Sequence, residues 1–128
     1  MHWATRYTGQ KWTEDHDCYY WFCRILFEQF GKKINHCSID HSRLVSCATK
    51  ILRGDLETNF GYKKTETPEE GDAVLLTQRN HPHHIGIVVW DRGIRILHAV
   101  RDCGVLVSDP MDLKVNGWRI VGYWTDAR

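Results

Sequence analysis

The hydrophobic pattern changes its period part-way along the chain, and this change constrains the fold more than any other feature. Residues 18–30 form a dense aromatic and aliphatic run with helix-stop Gly31 behind it. Later come short segments rich in β-branched or aromatic residues, separated by Gly, Asp and Pro: residues 73–77, 85–90, 95–100, 105–108 and 118–124. This order predicts an α+β fold, with N-terminal helices packed on an antiparallel sheet of five or six strands.

The helical half contains two predicted helices. The first runs from about Cys18 to Phe30, with Asp15 or Asp17 as its cap, and its apolar residues occur nearly all round, which predicts a buried central helix. The second runs from about His41 to Leu52. No internal repeat or linker divides the 128 residues, so we expect one domain over residues 1–128.

Composition excludes several classes of protein. A net charge of +1 without a basic stripe argues against nucleic-acid binding. No apolar run approaches the ~20 residues of a membrane-spanning helix, and the first residues lack the apolar core of a signal peptide. The five cysteines are an odd number and include no Cys-x-x-Cys pair, which is typical of reduced thiols. We therefore expect a protein made in the cytoplasm, with neither nucleic acid nor membrane as its partner.

Cys18 is the candidate nucleophile. It is predicted to occupy the first turn of the long helix, where unpaired backbone N–H groups and the helix dipole favour a thiolate. The same N–H groups can hold an oxyanion when a carbonyl is attacked. Cys23 lies five residues further on, inside the helix, and gains none of this. Core packing is the favoured interpretation for the other four thiols: Cys23, Cys37, Cys47 and Cys103.

Two histidines of a predicted hairpin complete a possible triad. If Trp90 pairs with Ile94, alternation places His84 and His98 on one face as diagonal neighbours, roughly 7–8 Å apart at the backbone. His84 would then be the general base, and His98 would hold its tautomer. Gly86 lies on the same face, where we expect it to leave room for the helix of Cys18.

Simpler interpretations of these histidines are common. Each histidine alone is more often a surface or satisfied core residue than a catalytic one. The run His81-Pro82-His83-His84 also suggests a metal, but no second Cys or His pair stands at zinc-ligand spacing. We therefore expect neither a metal nor a cofactor.

Three segments together resemble the NlpC/P60 cysteine peptidases, which have a papain-like core. Tyr7-Thr8-Gly9 with Asp17-Cys18 resembles the segment that opens the family's catalytic helix. Residues 70–76, Glu-Gly-Asp-Ala-Val-Leu-Leu, are similar to the strand that precedes the catalytic histidine. His84-Ile85-Gly86-Ile87, followed by Ile96-Leu97-His98-Ala99 and Gly104-Val105, is similar to the family's two histidine motifs. Each segment alone is a weak signal, and their order makes the combination more specific.

The resemblance implies a Cys-His-His triad of Cys18, His84 and His98. It also implies that the hydroxyl of Tyr7 lies near the oxyanion site and that Asp17 meets the free amine of the substrate. Family members cut peptidoglycan stem peptides, typically between γ-D-glutamate and a diamino acid. One departure stands out: Tyr19-Tyr20 follows the cysteine where the family usually has Ser-Gly or Trp-Gly, so bulky rings would reshape the substrate cleft.

The resulting hypothesis is a cell-wall endopeptidase similar to phage tail-tip versions of the family, associated with a phage or prophage tail. Its substrate would be the peptidoglycan stem peptide, and other tail proteins are candidate partners. Two alternatives stay open. One is a related thiol amidase, acyltransferase or effector toxin, and the other is an inactive tail-assembly protein of the same fold.

Overall fold

One antiparallel sheet of six strands forms the centre of the protein. The computed structural model describes residues 2–32, 57, 61–79 and 81–127. The strands are β1 Tyr62–Thr65, β2 Ala73–Gln78, β3 His81–Trp90, β4 Ile94–Val100, β5 Gly104–Ser108 and β6 Arg119–Asp126. Their order across the sheet is β1-β6-β2-β3-β4-β5, and every neighbouring pair is antiparallel. The predicted α+β class with an antiparallel sheet is therefore confirmed.

The long helix α1, Cys18–Phe30, has the predicted bounds. The Asp17 side chain accepts a hydrogen bond from the backbone N–H of Tyr20 at 2.8 Å, which identifies Asp17 as the cap. Gly31 ends the helix with a φ of +66°, a left-handed conformation that glycine adopts without strain. The predicted helix His41–Leu52 lies outside the described residues.

α1 is not a buried central helix as predicted, because one of its faces meets solvent. Arg24, Phe27 and Glu28 are exposed. The buried face packs on the sheet through seven side chains: Cys18, Tyr19, Trp21, Phe22, Cys23, Ile25 and Leu26. The apolar residues of α1 extend onto the face that meets solvent, where Phe27 is 54% exposed. Their presence all round the helix therefore did not indicate that the whole helix is buried.

The sheet buries a separate apolar cluster on each face. On the α1 side, the sheet contributes Ala73, Leu75, Ile85, Ile87, Val89, Leu97, Ala99, Val105 and Trp124. The opposite cluster consists of Val74, Leu76, Val88, Ile96, Leu113 and Trp118. Leu113 belongs to a second short helix, α2, which spans Pro110–Val115. Successive side chains of a strand point to opposite faces of the sheet. The cluster to which a strand residue belongs therefore identifies the face that its side chain occupies.

Three elements were not predicted from the sequence, and the first is a short 3₁₀ helix at Trp3–Arg6. The helix α2 begins with a capping box between Asp109 and Asp112 and has proline in its first turn, which are readable signals in a short segment. Strand β1 lies in the polar stretch of residues 57–70, where the sequence predicts no strand, and it pairs with β6 at the sheet edge. Only Tyr62 of β1 is buried, while Lys63 and Lys64 are exposed, as is usual for an edge strand.

The segment that precedes α1 is tied to β5. The N–H of Gly9 donates to the carbonyl of Val105 at 2.9 Å, and the N–H of Val105 donates to the carbonyl of Gln10 at 2.8 Å. Gly104 permits this approach, because a Cβ at this residue would lie 2.5 Å from the Gln10 oxygen. The N-terminal segment is thereby held beside β5 before the chain enters the catalytic helix proposed from the sequence.

None of the helices in the described part of the chain combines the length and the apolar character needed to cross a membrane.

Candidate active site

The hairpin of β3 and β4 has the register that the sequence predicts. Trp90 pairs with Ile94, and Gly86 pairs with His98. His84 lies two residues before Gly86 along β3, so it is the diagonal neighbour of His98 on the same face. A slip of one residue would have separated the two rings to opposite faces. This geometric prediction is confirmed.

The two imidazoles are in direct contact. Nε2 of His84 lies 2.7 Å from Nδ1 of His98, within hydrogen-bond distance. The ring centroids are 4.9 Å apart, and both residues are buried, with 5% of His84 and 3% of His98 exposed. Because His98 engages Nε2 of His84, Nδ1 is the nitrogen through which His84 can act on another group.

Two further side chains complete the histidine cluster, and the sequence analysis named neither. The hydroxyl of Ser108 lies 2.8 Å from Nε2 of His98, so the polar row continues across β5. The indole of Trp118 stacks on His84 with centroids 4.5 Å apart and an interplanar angle of 23°. Trp118 also meets the edge of His98 at 5.9 Å. Side chains of β3, β4 and β5, together with Trp118, thus form one buried aromatic and polar unit.

Burial determines the protonation state of His98. Its removal from water lowers the pKa of His98 from 6.5 to about 4, because the charged imidazolium is disfavoured in the sheet. His98 is therefore neutral at pH 7 and carries a single N–H. A neutral imidazole in this place can accept a hydrogen bond from His84 on one nitrogen and donate on the other.

Cys18 lies at the helix position that the sequence predicts, as the first residue of α1. Backbone N–H groups of Ile85, Tyr19 and Cys18 itself hydrogen-bond the sulfur and favour the thiolate. Ile85 directly follows His84, so the sulfur meets β3 at the residue adjacent to the first histidine. The structure therefore brings Cys18 to the β3 segment that carries His84.

The thiol itself is not activated in this arrangement. Burial is the largest influence on Cys18, the charge of Asp17 is the second, and together they raise its pKa from 9.0 to about 12. The backbone hydrogen bonds oppose this shift but do not overcome it. The helix N-terminus favours the thiolate as expected, but burial outweighs its effect, because only 4% of Cys18 is exposed.

The helix and the histidines lie on opposite faces of the sheet, which corrects the role predicted for Gly86. Cys18 packs in the cluster with Ile85 and Leu97, whereas His84 stacks on Trp118 of the other cluster. A Cβ on Gly86 would meet Ile96 at 2.7 Å and the carbonyl of Leu97 at 3.0 Å. Gly86 therefore accommodates β4 and not the helix.

Tyr7 is not beside Cys18, so the position implied by the resemblance is wrong for this structure. Its hydroxyl donates to Glu28 Oε1 at 2.8 Å and accepts from Gln29 Nε2 at 2.8 Å. Glu28 is ten residues after Cys18, which corresponds to about 15 Å along a helix. Tyr7 is 3% exposed, and burial raises the pKa of its hydroxyl. It joins the N-terminal segment to the far end of α1.

Asp17 directly precedes Cys18, but its carboxylate already has a structural role. It caps α1 through the N–H of Tyr20 and is only 2% exposed. Its charge acts against the Cys18 thiolate. The amine-binding role that the resemblance implies for Asp17 stays a prediction.

The two tyrosines after the cysteine differ in position. Tyr19 is 1% exposed and belongs to the core. Tyr20 is half-buried and stacks on His16, with ring centroids 4.1 Å apart. Only Tyr20 can therefore shape an opening next to the start of α1.

Among the described residues, the remaining thiols and candidate ligands form no second site. Cys23 is buried as predicted, but Cys103 is exposed, which contradicts its assignment to the core. Cys37 and Cys47 lie outside the described residues. Within the described chain, no group of three or more His, Cys, Asp or Glu side chains is placed to hold a metal ion.

Comparison of the chain with protein-family models, with curated proteins and with solved structures yields no match in any of the three.

Proposed function

We propose that the protein is a cysteine endopeptidase with a papain-like core of the NlpC/P60 type, and that it hydrolyses peptidoglycan stem peptides. The observation that carries this proposal is the 2.7 Å contact between Nε2 of His84 and Nδ1 of His98. In a thiol hydrolase, a third group holds the far nitrogen of the base so that its near nitrogen takes the thiol proton. His98 is placed to act as that third group.

In the proposed reaction, the site opens so that the sulfur of Cys18, which is hydrogen-bonded to the backbone of Ile85, reaches Nδ1 of His84 across the edge of β3 before its first pair with β4 at Gly86. Nδ1 of His84 then takes the proton of Cys18, and the sulfur attacks the carbonyl carbon of the scissile amide. The backbone N–H groups of Cys18 and Tyr19, which already surround the sulfur, stabilise the oxyanion. His84 then returns the proton to the leaving amine, and water hydrolyses the thioester with His84 as base. The enzyme ends the cycle with the same thiol and the same neutral imidazole.

Substrate entry requires the site to open, because 4% exposure leaves no room for a peptide at the sulfur. The opening we propose involves residues 10–16, the segment immediately before α1. It is held by backbone bonds to β5 and by the indole N–H of Trp21, which donates to the Lys11 carbonyl at 3.3 Å. In the open site, water and the His84 imidazolium would contact the sulfur. Both favour the thiolate and would lower the pKa of Cys18.

The substrate class and the setting come from the sequence resemblance. The proposed bond is the one between γ-D-glutamate and a diamino acid. The proposed setting is a phage or prophage tail, with other tail proteins as partners and the cell wall as target. The chain would reach that target from the cytoplasm where it is made.

The decisive experiment incubates purified muropeptides with the wild type, Cys18→Ala and Cys103→Ala, and identifies the products by mass spectrometry. We expect cleavage by the wild type and by Cys103→Ala, whose thiol is exposed, and none by Cys18→Ala. Cleavage by Cys18→Ala at the parent rate would refute the mechanism. Products in which the acyl group is transferred to an amine, instead of to water, would indicate an acyltransferase on the same triad.

Two observations favour a second candidate function, an inactive tail-assembly protein of the same fold. The pKa of Cys18 is about 12, and Tyr7 is bound at the other end of α1. Alkylation by iodoacetamide at pH 6–7 separates the two candidates. The peptidase labels at Cys18 before the exposed Cys103, because transient opening pairs the sulfur with the His84 imidazolium. The inactive protein labels at Cys103 first.

A further inference from the structure

Three polar side chains form one straight diagonal row across three adjacent strands. His98 of β4 pairs with Leu106, and Ser108 pairs with Ile96, so Ser108 is the diagonal neighbour of His98 on the β5 side. His84 is the diagonal neighbour on the β3 side. The two contacts in the row are 2.7 Å and 2.8 Å long.

The row admits only two arrangements of its protons when His98 is neutral. In the first, His84 Nε2–H donates to His98 Nδ1, and His98 Nε2–H donates to the Ser108 hydroxyl oxygen. In the second, the hydroxyl donates to His98 Nε2, and His98 Nδ1–H donates to His84 Nε2. A serine hydroxyl rotates to suit either arrangement, so the histidines determine which one is used.

The proposed chemistry requires the first arrangement. When His84 takes the thiol proton on Nδ1, it becomes an imidazolium that must donate from Nε2. His98 can accept that bond on Nδ1 only if its own proton is on Nε2, and that N–H is in the sheet interior with 3% of the residue exposed. A buried N–H without a partner is rare and costly, so this proton needs an acceptor.

We propose that Ser108 is a positioning residue of the active site: it accepts the Nε2–H of His98 and thereby keeps Nδ1 of His98 as the acceptor for His84. Ser108 does not touch the substrate or the sulfur and acts through His98. This inference rests on the proposed Cys-His-His chemistry for its effect on rate, whereas the tautomer that it assigns to His98 can be measured without any substrate.

The surroundings of Ser108 provide a matched pair of variants. Ser108→Ala removes the acceptor and keeps the small size of the side chain. Ser108→Thr retains the hydroxyl, and its extra methyl group faces a narrow apolar space lined by Ile94, Ile96, Pro110 and Leu113. A loss in Ser108→Ala that Ser108→Thr restores therefore reports on the hydroxyl and not on packing.

The first measurement is the tautomer of His98 at pH 7, read from two-bond 1H–15N correlations of the ¹⁵N-labelled protein, with His98→Asn to assign the signals. We expect the Nε2–H form in the wild type and in Ser108→Thr, and a shift towards the Nδ1–H form in Ser108→Ala. A wild type that carries the proton on Nδ1 overturns the inference. The inference is also overturned if the Ser108→Ala variant folds and His98 retains the Nε2–H form.

The second measurement is turnover of muropeptides. We expect Ser108→Ala to lower kcat about tenfold, equivalent to about 1.4 kcal/mol, with KM little changed, and Ser108→Thr to restore it. An unchanged kcat in Ser108→Ala overturns the positioning role. If the wild type cleaves no muropeptide, the proposed function fails, and the tautomer result by itself decides whether Ser108 orients His98.

Discussion

Nε2 of His84 lies 2.7 Å from Nδ1 of His98, although the strand pairing places Gly86, and not His84, opposite His98. The rings meet diagonally because the residue between them in the ladder has no side chain. The stacked indole of Trp118 closes the site from the other side at 4.5 Å. The missing side chain at Gly86 therefore makes room for the two rings, and the indole of Trp118 packs against them.

Gly86→Ala should disturb this pair. The new Cβ would lie 2.7 Å from Ile96 Cγ2, 3.0 Å from the Leu97 carbonyl and 3.2 Å from His98 Cβ. Backbone and a β-branched side chain cannot move aside easily, so we expect a loss of about 1–3 kcal/mol in the free energy of unfolding. Urea denaturation measures the loss, and the His98 imidazole signals should shift as the ring is displaced.

Gly122→Ala is the matched control, because Gly122 also lies within a strand. Its Cβ would meet the flexible end of the Lys64 side chain at 3.0 Å and the ring of Trp124 at 3.2 Å. Since the lysine can move into solvent, we expect a smaller loss than for Gly86→Ala. An equal or larger loss in the control would mean that the gap at Gly86 has no special importance.

Acid should destabilise the protein through His98. The pKa of His98 falls from 6.5 to about 4 on folding, so between these values the unfolded chain binds a proton that the folded protein does not. Stability is therefore fully present above pH 6.5 and is lost as the pH falls towards 4, by roughly 3 kcal/mol for this residue alone. The free energy of unfolding in urea at several pH values measures the slope.

His98→Asn isolates the contribution of this one residue, because every other titrating group stays in place. The variant should be less stable than the wild type at pH 7.5, and its stability should depend less on pH between 4 and 6.5. Parallel pH curves for the two proteins would show that His98 is not the source of the acid sensitivity.

Local sequence patterns predict those parts of the site that depend on residues close together in the chain. Asp17 and Gly31 bound α1, and strand alternation places His84 and His98 on one face, because a hairpin leaves few registers. The face that α1 covers depends on tertiary packing, and the prediction missed it. The stripe of Ile85, Ile87 and Val89 is more apolar than the stripe containing Gly86, so the signal was present in the sequence.

Other features depend on contacts between distant segments. Ser108 joins the row only because β5 pairs with β4 in one register, which the turn after Val100 determines. Tyr7 reaches Glu28 because the N-terminal segment is held against β5 by Gly9 and Gln10. No local periodicity encodes these placements, and for Tyr7 the resemblance pointed to the wrong end of the helix.

Tyr7→Phe tests the structural role of that hydroxyl. Loss of its hydrogen bonds to Glu28 and Gln29 should reduce the free energy of unfolding by about 1 kcal/mol, with cleavage of muropeptides unchanged in kcat. Tyr20→Phe provides the stability control, because its hydroxyl accepts from the exposed Arg24 at 3.1 Å. A large fall in kcat with stability intact would return Tyr7 to the oxyanion site.

Asp17 influences both the helix and the nucleophile, and two substitutions separate these effects. Asp17→Asn retains a capping oxygen for the Tyr20 N–H but removes the charge that helps to raise the pKa of Cys18. We therefore expect alkylation of Cys18 by iodoacetamide to begin at lower pH in Asp17→Asn than in the wild type. Peptide mass spectrometry measures the rate, with the exposed Cys103 as internal reference.

Asp17→Ala removes the cap as well as the charge, and it should lose about 1 kcal/mol of stability that Asp17→Asn retains. Both variants should shift the alkylation profile of Cys18 in the same direction, because both remove the carboxylate next to the sulfur. If the profile stays fixed in Asp17→Asn and moves only in Asp17→Ala, fraying of α1 and not charge controls the thiol. Burial would then be the only cause that holds Cys18 in its protonated form.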